Sequence, residues 1–273
     1  DASISGLTVG AGSGGSQNSA LGVSVLASNS GNYTVAIGYQ ALSVGNTGNY
    51  NTAIGRAALR ANTSGASNTA LGSETLYANT TGAYNTATGY AALYNNTTGS
   101  YNTAVGRESL VSNTTASNNT AVGYQAGYSN TTGDASVYIG NVAGKFNTTG
   151  SANTVVGDNA FTGAATGGFN SAFGRTSLQN NTSGQYNTAL GASALQSNTT
   201  ASYNTAVGYL AAYSNTTGTG ITAVGYKAAY AASTTTSITA IGYLAAQNVT
   251  GGDVVAIGYA SNPAVNSTGA NNV

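Results

Sequence analysis

Asn51-Thr52-Ala53-Ile54-Gly55-Arg56-Ala57-Ala58-Leu59-Arg60-Ala61-Asn62-Thr63-Ser64-Gly65-Ala66-Ser67 decides the fold, because the chain begins the same phrase again at Asn68. Its glycine recurs every 17 residues, at 38, 55, 72, 89, 106, 123, 140, 157, 174, 191, 208, 225 and 242, without insertion or deletion. Gly22 and Gly258 extend the series at either end by one 16-residue step. Loops in globular domains drift in length, whereas a coil stacked on identical coils cannot. An unbroken register over most of the chain therefore marks one repeat wound many times.

A 17-residue unit is too short for a helical hairpin repeat. Asn, Thr, Gly and aromatic residues disfavour helix, while Thr, Val, Ile and Tyr suit strands. Each unit reads as a short strand before the ladder glycine, a bend, a second short strand around Leu, and an Asn-Thr-Thr-Gly turn. The expected fold is all-β, a parallel β-solenoid of about fifteen coils of 17 residues. It divides into a Gly/Ser-rich segment at 1–17, one repeat domain at 18–260 and a polar tail at 261–273 that holds Pro263.

Strand alternation then assigns faces. The residue before each ladder glycine is aliphatic almost throughout (Leu21, Ile37, Ile54, Leu71, Val105, Val122, Leu190, Val207), with Thr88 the exception. That row is expected inside the coil, together with the threonine row two residues earlier (Thr52, Thr69, Thr103, Thr188) and the leucines of the second strand (Leu42, Leu59, Leu76, Leu93, Leu110, Leu178, Leu195). An alanine row is left for the outer face: Ala36, Ala53, Ala70, Ala87, Ala104, Ala121, Ala172, Ala189, Ala206, Ala223, Ala240 and Ala256. Tyr138 and Val155 interrupt it. An outward stripe of Ala and Gly suits close approach by another backbone, so this row is expected as an oligomer interface. Ala53→Glu or Ala104→Glu then dissociates an assembly without unfolding a coil.

The 273 residues carry six basic and six acidic side chains and no His, Cys, Met or Trp. A chain that is 4% charged, where a quarter is usual, offers no electrostatic footprint for nucleic acid or for anionic membrane. No apolar run approaches the ~18 residues of a membrane span. Few basic sites, one proline and no thiol or thioether suit a durable extracellular object.

Chemistry is as sparse. Acid–base catalysis needs His or closely held carboxylates, and the acidic residues sit in different coils. Glu74 and Glu108 share a column two coils apart, where Arg107 makes paired charges the simpler reading. Turns of Asn-Thr-Thr lack the aspartate per turn of calcium-binding rolls. The Gly-rich stretch at 10–15 has no following helix or Lys to hold phosphate. The expectation is a non-enzyme without metal or cofactor.

Two columns remain. The asparagines of Asn-x-Thr/Ser sequons recur with the repeat: Asn62, Asn79, Asn96, Asn113, Asn130, Asn147, Asn181, Asn198 and Asn215. They read either as a row of glycan acceptors or as a stacked turn ladder of amides. Tyrosines recur before the strand (Tyr33, Tyr50, Tyr84, Tyr101, Tyr186, Tyr203) and after the glycine (Tyr39, Tyr90, Tyr124, Tyr209, Tyr226, Tyr243, Tyr259). Stacking between coils is their expected role. Content changes at 134–169, where Gly144 and then Phe161 replace Leu, a segment that reads as either a recognition patch or drift. Near the C-terminus Ala212, Ala229 and Ala246 replace Leu, as in a narrower core. Neither end reads as a folded cap, which suits head-to-tail self-association.

Thr34-Val35-Ala36-Ile37-Gly38 and Val254-Val255-Ala256-Ile257-Gly258 resemble the S-V-A-I-G head repeat of YadA-type trimeric autotransporter adhesins. The Asn-Thr-Ala-Val-Gly-Tyr-Gln-Ala and Asn-Thr-Thr-Gly wording, with Ile4-Ser5-Gly6-Leu7-Thr8-Val9-Gly10, is similar to repeats of phage tail fibres and related surface fibres. The resemblance covers about residues 18–260, although this unit is longer than the adhesin repeat and carries Thr where that has Val. It implies a left-handed β-roll, a homotrimer, and a fibre shaft, surface filament or adhesin head on a cell or virion, with a host-surface or glycan receptor. The alternative is an ice-binding solenoid that orders water on threonine rows, and only one threonine falls on the strand.

Overall fold

The structure is a computed structural model that describes residues 2–4, 7–10 and 17–261, with side-chain surroundings from 17 onward. It falls into two compact units, Asp1–Ala135 and Ser136–Val273.

In the first unit, β1 (Ala2–Ile4) and β2 (Leu7–Gly10) form an antiparallel hairpin, and β2 pairs antiparallel with β3 (Ser19–Val23). From β3 onward every pairing is parallel and in register, through β4 (Val35–Ile37), β5 (Thr52–Ile54), β6 (Thr69–Leu71), β7 (Thr86–Thr88), β8 (Thr103–Val105) and β9 (Thr120–Val122). The second unit repeats the arrangement with β10 (Val137–Ile139), β11 (Thr154–Val156), β12 (Ser171–Phe173), β13 (Thr188–Leu190), β14 (Thr205–Val207), β15 (Ile221–Val224), β16 (Ile238–Ile241) and β17 (Val254–Ile257). Both units are therefore parallel β-solenoid, the expected fold class. The expectation of two bare ends is corrected at the N-terminal one. There the hairpin covers the edge of β3 and ends the run of parallel coils with antiparallel strands. The tail beyond Ser261 lies outside the described residues.

Only three to five residues per coil are strand; the rest is corner. Each regular coil turns at three residues with left-handed φ, such as Tyr50 (+60°), Ala57 (+56°) and Leu59 (+49°), although none is glycine. Such a conformation brings an L residue's Cβ close to the backbone and is uncommon outside Gly, Asn and Asp. It persists because the neighbouring coils fix it. The Leu59 N–H donates to Thr75 O, the Ala57 N–H to Tyr39 O, and the Leu59 side chain is fully buried. The ladder glycine is needed for a different reason. Gly72 has φ +138°, and a Cβ there would lie 2.6 Å from the carbonyl oxygen of Gly89 in the next coil. The ladder keeps successive coils of one chain in contact.

Alternation along each strand holds, but the row that faces inward is the opposite of the one expected. The alanine row is inside: Ala36, Ala53, Ala70, Ala87, Ala104 and Ala121 are 0% exposed, as are Ala172, Ala189, Ala206, Ala223 and Ala240, with Ala256 at 3%. None of them can be an oligomer contact, so the expected interface is withdrawn. The coil is too thin for two facing rows of large side chains. Alanine lines one wall, and Leu42, Leu59, Leu76, Leu93, Leu110, Leu178 and Leu195 fill the space from the other. The altered coil obeys the same volume rule. Tyr138 is fully buried at an alanine position, and Gly144 stands at the leucine position, where any Cβ would collide with the Tyr138 ring. In the terminal coils Ala229 and Ala246 replace Leu while Ile221, Ile238 and Val254 enter the core in place of Asn. Apolar bulk is moved there rather than lost.

Candidate functional site

With alanine inside, each strand turns two other rows outward. Leu71 is 46% and Leu190 49% exposed. Leu21, Ile37, Val105 and Val122 in the first unit, and Ile139, Phe173, Ile241 and Ile257 in the second, are also exposed. The threonines two residues earlier share that face: Thr69, Thr86 and Thr188 are exposed, while Thr52, Thr103, Thr120, Thr205 and Thr222 are half-buried. Parallel in-register pairing places like beside like, Thr52 beside Thr69 and Ile54 beside Leu71. Each unit thus presents a hydroxyl column next to an aliphatic column on one sheet face.

Flanking the aliphatic column are the residues that follow the ladder glycine, where most of the charge resides. Arg56 pairs with Glu74. Arg107 Nη2 lies 3.1 Å from Glu108 Oε1, and Gln125 Nε2 donates to Glu108 Oε2 at 2.6 Å. The Arg107 guanidinium also sits 5.8 Å from the Tyr90 ring centre. In the second unit Asn141 Nδ2 donates to Asp158 Oδ1 at 2.8 Å, and Arg175 Nε lies 3.7 Å from Asp158 Oδ2. Hydrogen bonds from Asn141 and Asn159, with Arg175 nearby, hold the Asp158 carboxyl below its ordinary range. Glu74 and Glu108 are thus each engaged by arginine rather than turned toward one another. Among the described residues no three His, Cys, Asp or Glu gather where a metal ion could be held.

The sequon asparagines form the turn ladder. Asn79 Nδ2 donates to Asn62 Oδ1 at 2.7 Å and to Gly82 O at 2.9 Å; Asn96 and Asn113 repeat the pattern. Asn62 and Asn130 do the same, as do Asn198 and Asn215 in the second unit. Asn181 caps its own turn at Gly184 O, and Asn147 Nδ2 donates to the Tyr138 hydroxyl and to Gly150 O. Asn62, Asn79, Asn96, Asn113, Asn130, Asn147, Asn181, Asn198 and Asn215 are all 0% exposed. An amide nitrogen enclosed in this way has no room for a sugar, which corrects the glycan alternative. A second buried column, unforeseen from the sequence, runs through the asparagines that precede most of the strands. The Asn85 N–H donates to Asn68 Oδ1 at 3.0 Å, and Asn85 Nδ2 to Gly99 O at 2.9 Å.

Tyrosines stack as expected. Tyr33–Tyr50, Tyr84–Tyr101 and Tyr77–Tyr94 pair at 4.9–5.0 Å between ring centres in the first unit. Partial burial, then the neighbouring Tyr77, raises the pKa of the Tyr94 hydroxyl. In the second unit Tyr209, Tyr226, Tyr243 and Tyr259 make a continuous column. Stacked rings cover one another's faces, so these columns offer edges and hydroxyls to a ligand.

The outward rows were visible in the sequence but assigned to the wrong side. One signal could have placed them: Tyr138 and Gly144 exceed and fall short of their rows within six residues, as two positions sharing one cavity must. No protein-family model matches this chain, and neither a curated protein nor a solved structure matches it.

Proposed function

We propose that this chain is a non-enzymatic structural or adhesive element of an extracellular fibre, surface filament or adhesin head, whose copies assemble through the outward threonine and aliphatic rows. The observation that carries the reading is the aliphatic column, since a soluble monomer rarely keeps an exposed apolar strip of this regularity. The chain's own copies are the fitting occupant. The column repeats at the same spacing on every copy, and a net charge of zero sets up no repulsion between them. Three-fold symmetry, left-handed winding and a cell-surface or virion location come with the resemblance and belong to the same proposal. A host-surface or glycan receptor then meets a different face, since this one is covered. Sedimentation velocity tests the reading: an oligomer that Leu71→Asp with Leu190→Asp converts to folded monomer supports it. A wild-type chain that stays monomeric at high concentration overturns it.

One observation favours a second reading, that of a water-ordering or ice-binding face. Thr52, Thr69, Thr86, Thr103 and Thr120 lie in register on the outward face beside methyl-bearing neighbours, a repeating array of hydroxyls and methyl groups. The two readings use the same face and exclude one another. Thermal hysteresis from a monomeric protein, abolished by Thr86→Tyr, selects the second.

A further inference from the structure

The chain has no Cys, Met, Trp or His, so its 19 tyrosines are its most readily oxidised side chains. Most of them are held in pairs by the coil repeat. The longest run is Tyr209, Tyr226, Tyr243 and Tyr259, with successive ring centres 5.7, 5.0 and 5.1 Å apart and planes within 24° of parallel. All four rings are exposed, from 37% at Tyr226 to 79% at Tyr259, so a phenol that loses an electron can release its proton to water. Two tyrosyl radicals formed in adjacent coils of this column are therefore held with their ring centres 5.0–5.7 Å apart. Their concentration is set by the fold rather than by diffusion.

We infer that this tyrosine column is an oxidative cross-linking site, at which a peroxide-fed peroxidase joins one coil covalently to the next. The balance is simple. Each of two phenols gives one electron and one proton to the oxidant, and the ring carbons ortho to the hydroxyls bond to each other. The two hydrogens they carried restore the phenols as the radicals rearomatise. One hydrogen peroxide is reduced to two waters for each link. Each link closes a loop of 16 or 17 residues that would otherwise open when adjacent coils separate. The first unit supplies an internal contrast. Tyr39 and Tyr90 are exposed too, but the equivalent positions in the coils on either side hold Val23 and Arg56, or Ser73 and Arg107. Neither has a ring stacked on it from an adjacent coil among the described residues.

The experiment treats the whole protein with a peroxidase and hydrogen peroxide, isolates the monomer band under denaturing conditions and digests it with trypsin. Cleavage at Arg175 and Lys227 leaves residues 176–227 and 228–273, which separate Tyr226 from Tyr243. Tyr213 and Tyr230 also stack across this cleavage site, with ring centres 5.3 Å apart, so every arm carries Tyr213→Phe. The expected product is then these two peptides joined, with two hydrogens lost and dityrosine fluorescence. It is abolished in Tyr243→Phe, which keeps a ring in the stack. No intrachain link should include Tyr39 or Tyr90, and the linked protein should unfold at higher denaturant concentration than the untreated one. Absence of the joined peptide under conditions that couple free tyrosine overturns the inference, as does its persistence in Tyr243→Phe.

Discussion

Two stretches of the second unit solve the same packing problem with different chemistry. Through Asn170, Asn187 and Asn204 the strand is opened by a buried amide, and the ladder hydrogen bonds run over three residues, as in Thr188–Leu190. The Asn204 N–H donates to Asn187 Oδ1 at 3.0 Å, while Asn187 Nδ2 reaches Ala201 O at 2.8 Å and Asn170 Oδ1 at 3.2 Å. The Ile221 N–H is the last to use this device, donating to Asn204 Oδ1 at 2.9 Å. From there Ile221, Ile238 and Val254 hold the same position, at most 4% exposed, and the strands lengthen to four residues with Ile221 paired to Ile238. An amide stack contributes through directed bonds and tolerates only another side chain that accepts the next N–H, as Ser136 does for Asn153. An apolar stack contributes through area and tolerates variation in shape, as the change from Ile238 to Val254 illustrates.

Substituting the wall that both stretches share tests how far they differ. Ala189→Glu and Ala240→Glu each place a carboxylate in a sealed coil and should cost more than ~4 kcal/mol. Loss of the folded circular-dichroism signal is the expected outcome in both; survival of Ala240→Glu alone would mean that the apolar coils have a roomier interior. Asn187→Leu comes next. It orphans the buried Asn204 N–H and takes one of two donors from each of Ala201 O, which keeps Asn198 Nδ2, and Asn170 Oδ1, which keeps the backbone N–H of position 187, for about 3 kcal/mol in a denaturant titration.

A pH titration separates the buried tyrosine from the exposed columns. Burial pushes the Tyr138 hydroxyl up to about 12, against an ordinary value near 10, despite hydrogen bonds with Ser136 and Asn147. Between pH ~10 and ~12 the unfolded chain gives up this proton while the folded one keeps it. Stability present below pH ~10 is thus lost as pH rises toward ~12, by about 3 kcal/mol. In Tyr138→Phe this alkaline loss should be absent, leaving a shallower pH dependence of the denaturation midpoint. Ile238→Asn should cost about 2 kcal/mol, since its neighbour Ile221 offers no amide to complete a ladder. An equal cost for Asn187→Leu and Ile238→Asn would erase the distinction between directed and area-based stacking. Leu190→Asp, on the outward face, should alter chain stability by less than ~0.5 kcal/mol while shifting the sedimentation coefficient.

The repeat length and fold class were legible because a ladder of glycines every 17 residues has no other economical explanation. The faces were not. Their assignment took the larger, aliphatic row as the inner one, and nothing about Leu59 or Tyr50 announces the left-handed corners that close the coil too tightly for it. Those corners are imposed by stacking between coils, an interaction absent from any single 17-residue unit. The buried asparagines at Asn68 and Asn85 were hidden for a related reason. A polar residue beside a strand reads as surface until the fold supplies a neighbour to accept its hydrogens.

The amide ladder of the first unit also makes the chain a ruler graduated in whole coils. Asn62, Asn79, Asn96 and Asn113 each satisfy the next, so any of them meets the same donors and acceptors whichever coil precedes it. Excising residues 69–85 would set Thr86 directly after Asn68 and restore every column, whereas removing eight residues would leave one coil too short to match the rows of its neighbours. Duplication and loss of single coils are therefore nearly silent in the fold, and length is the property such a sequence can change most freely.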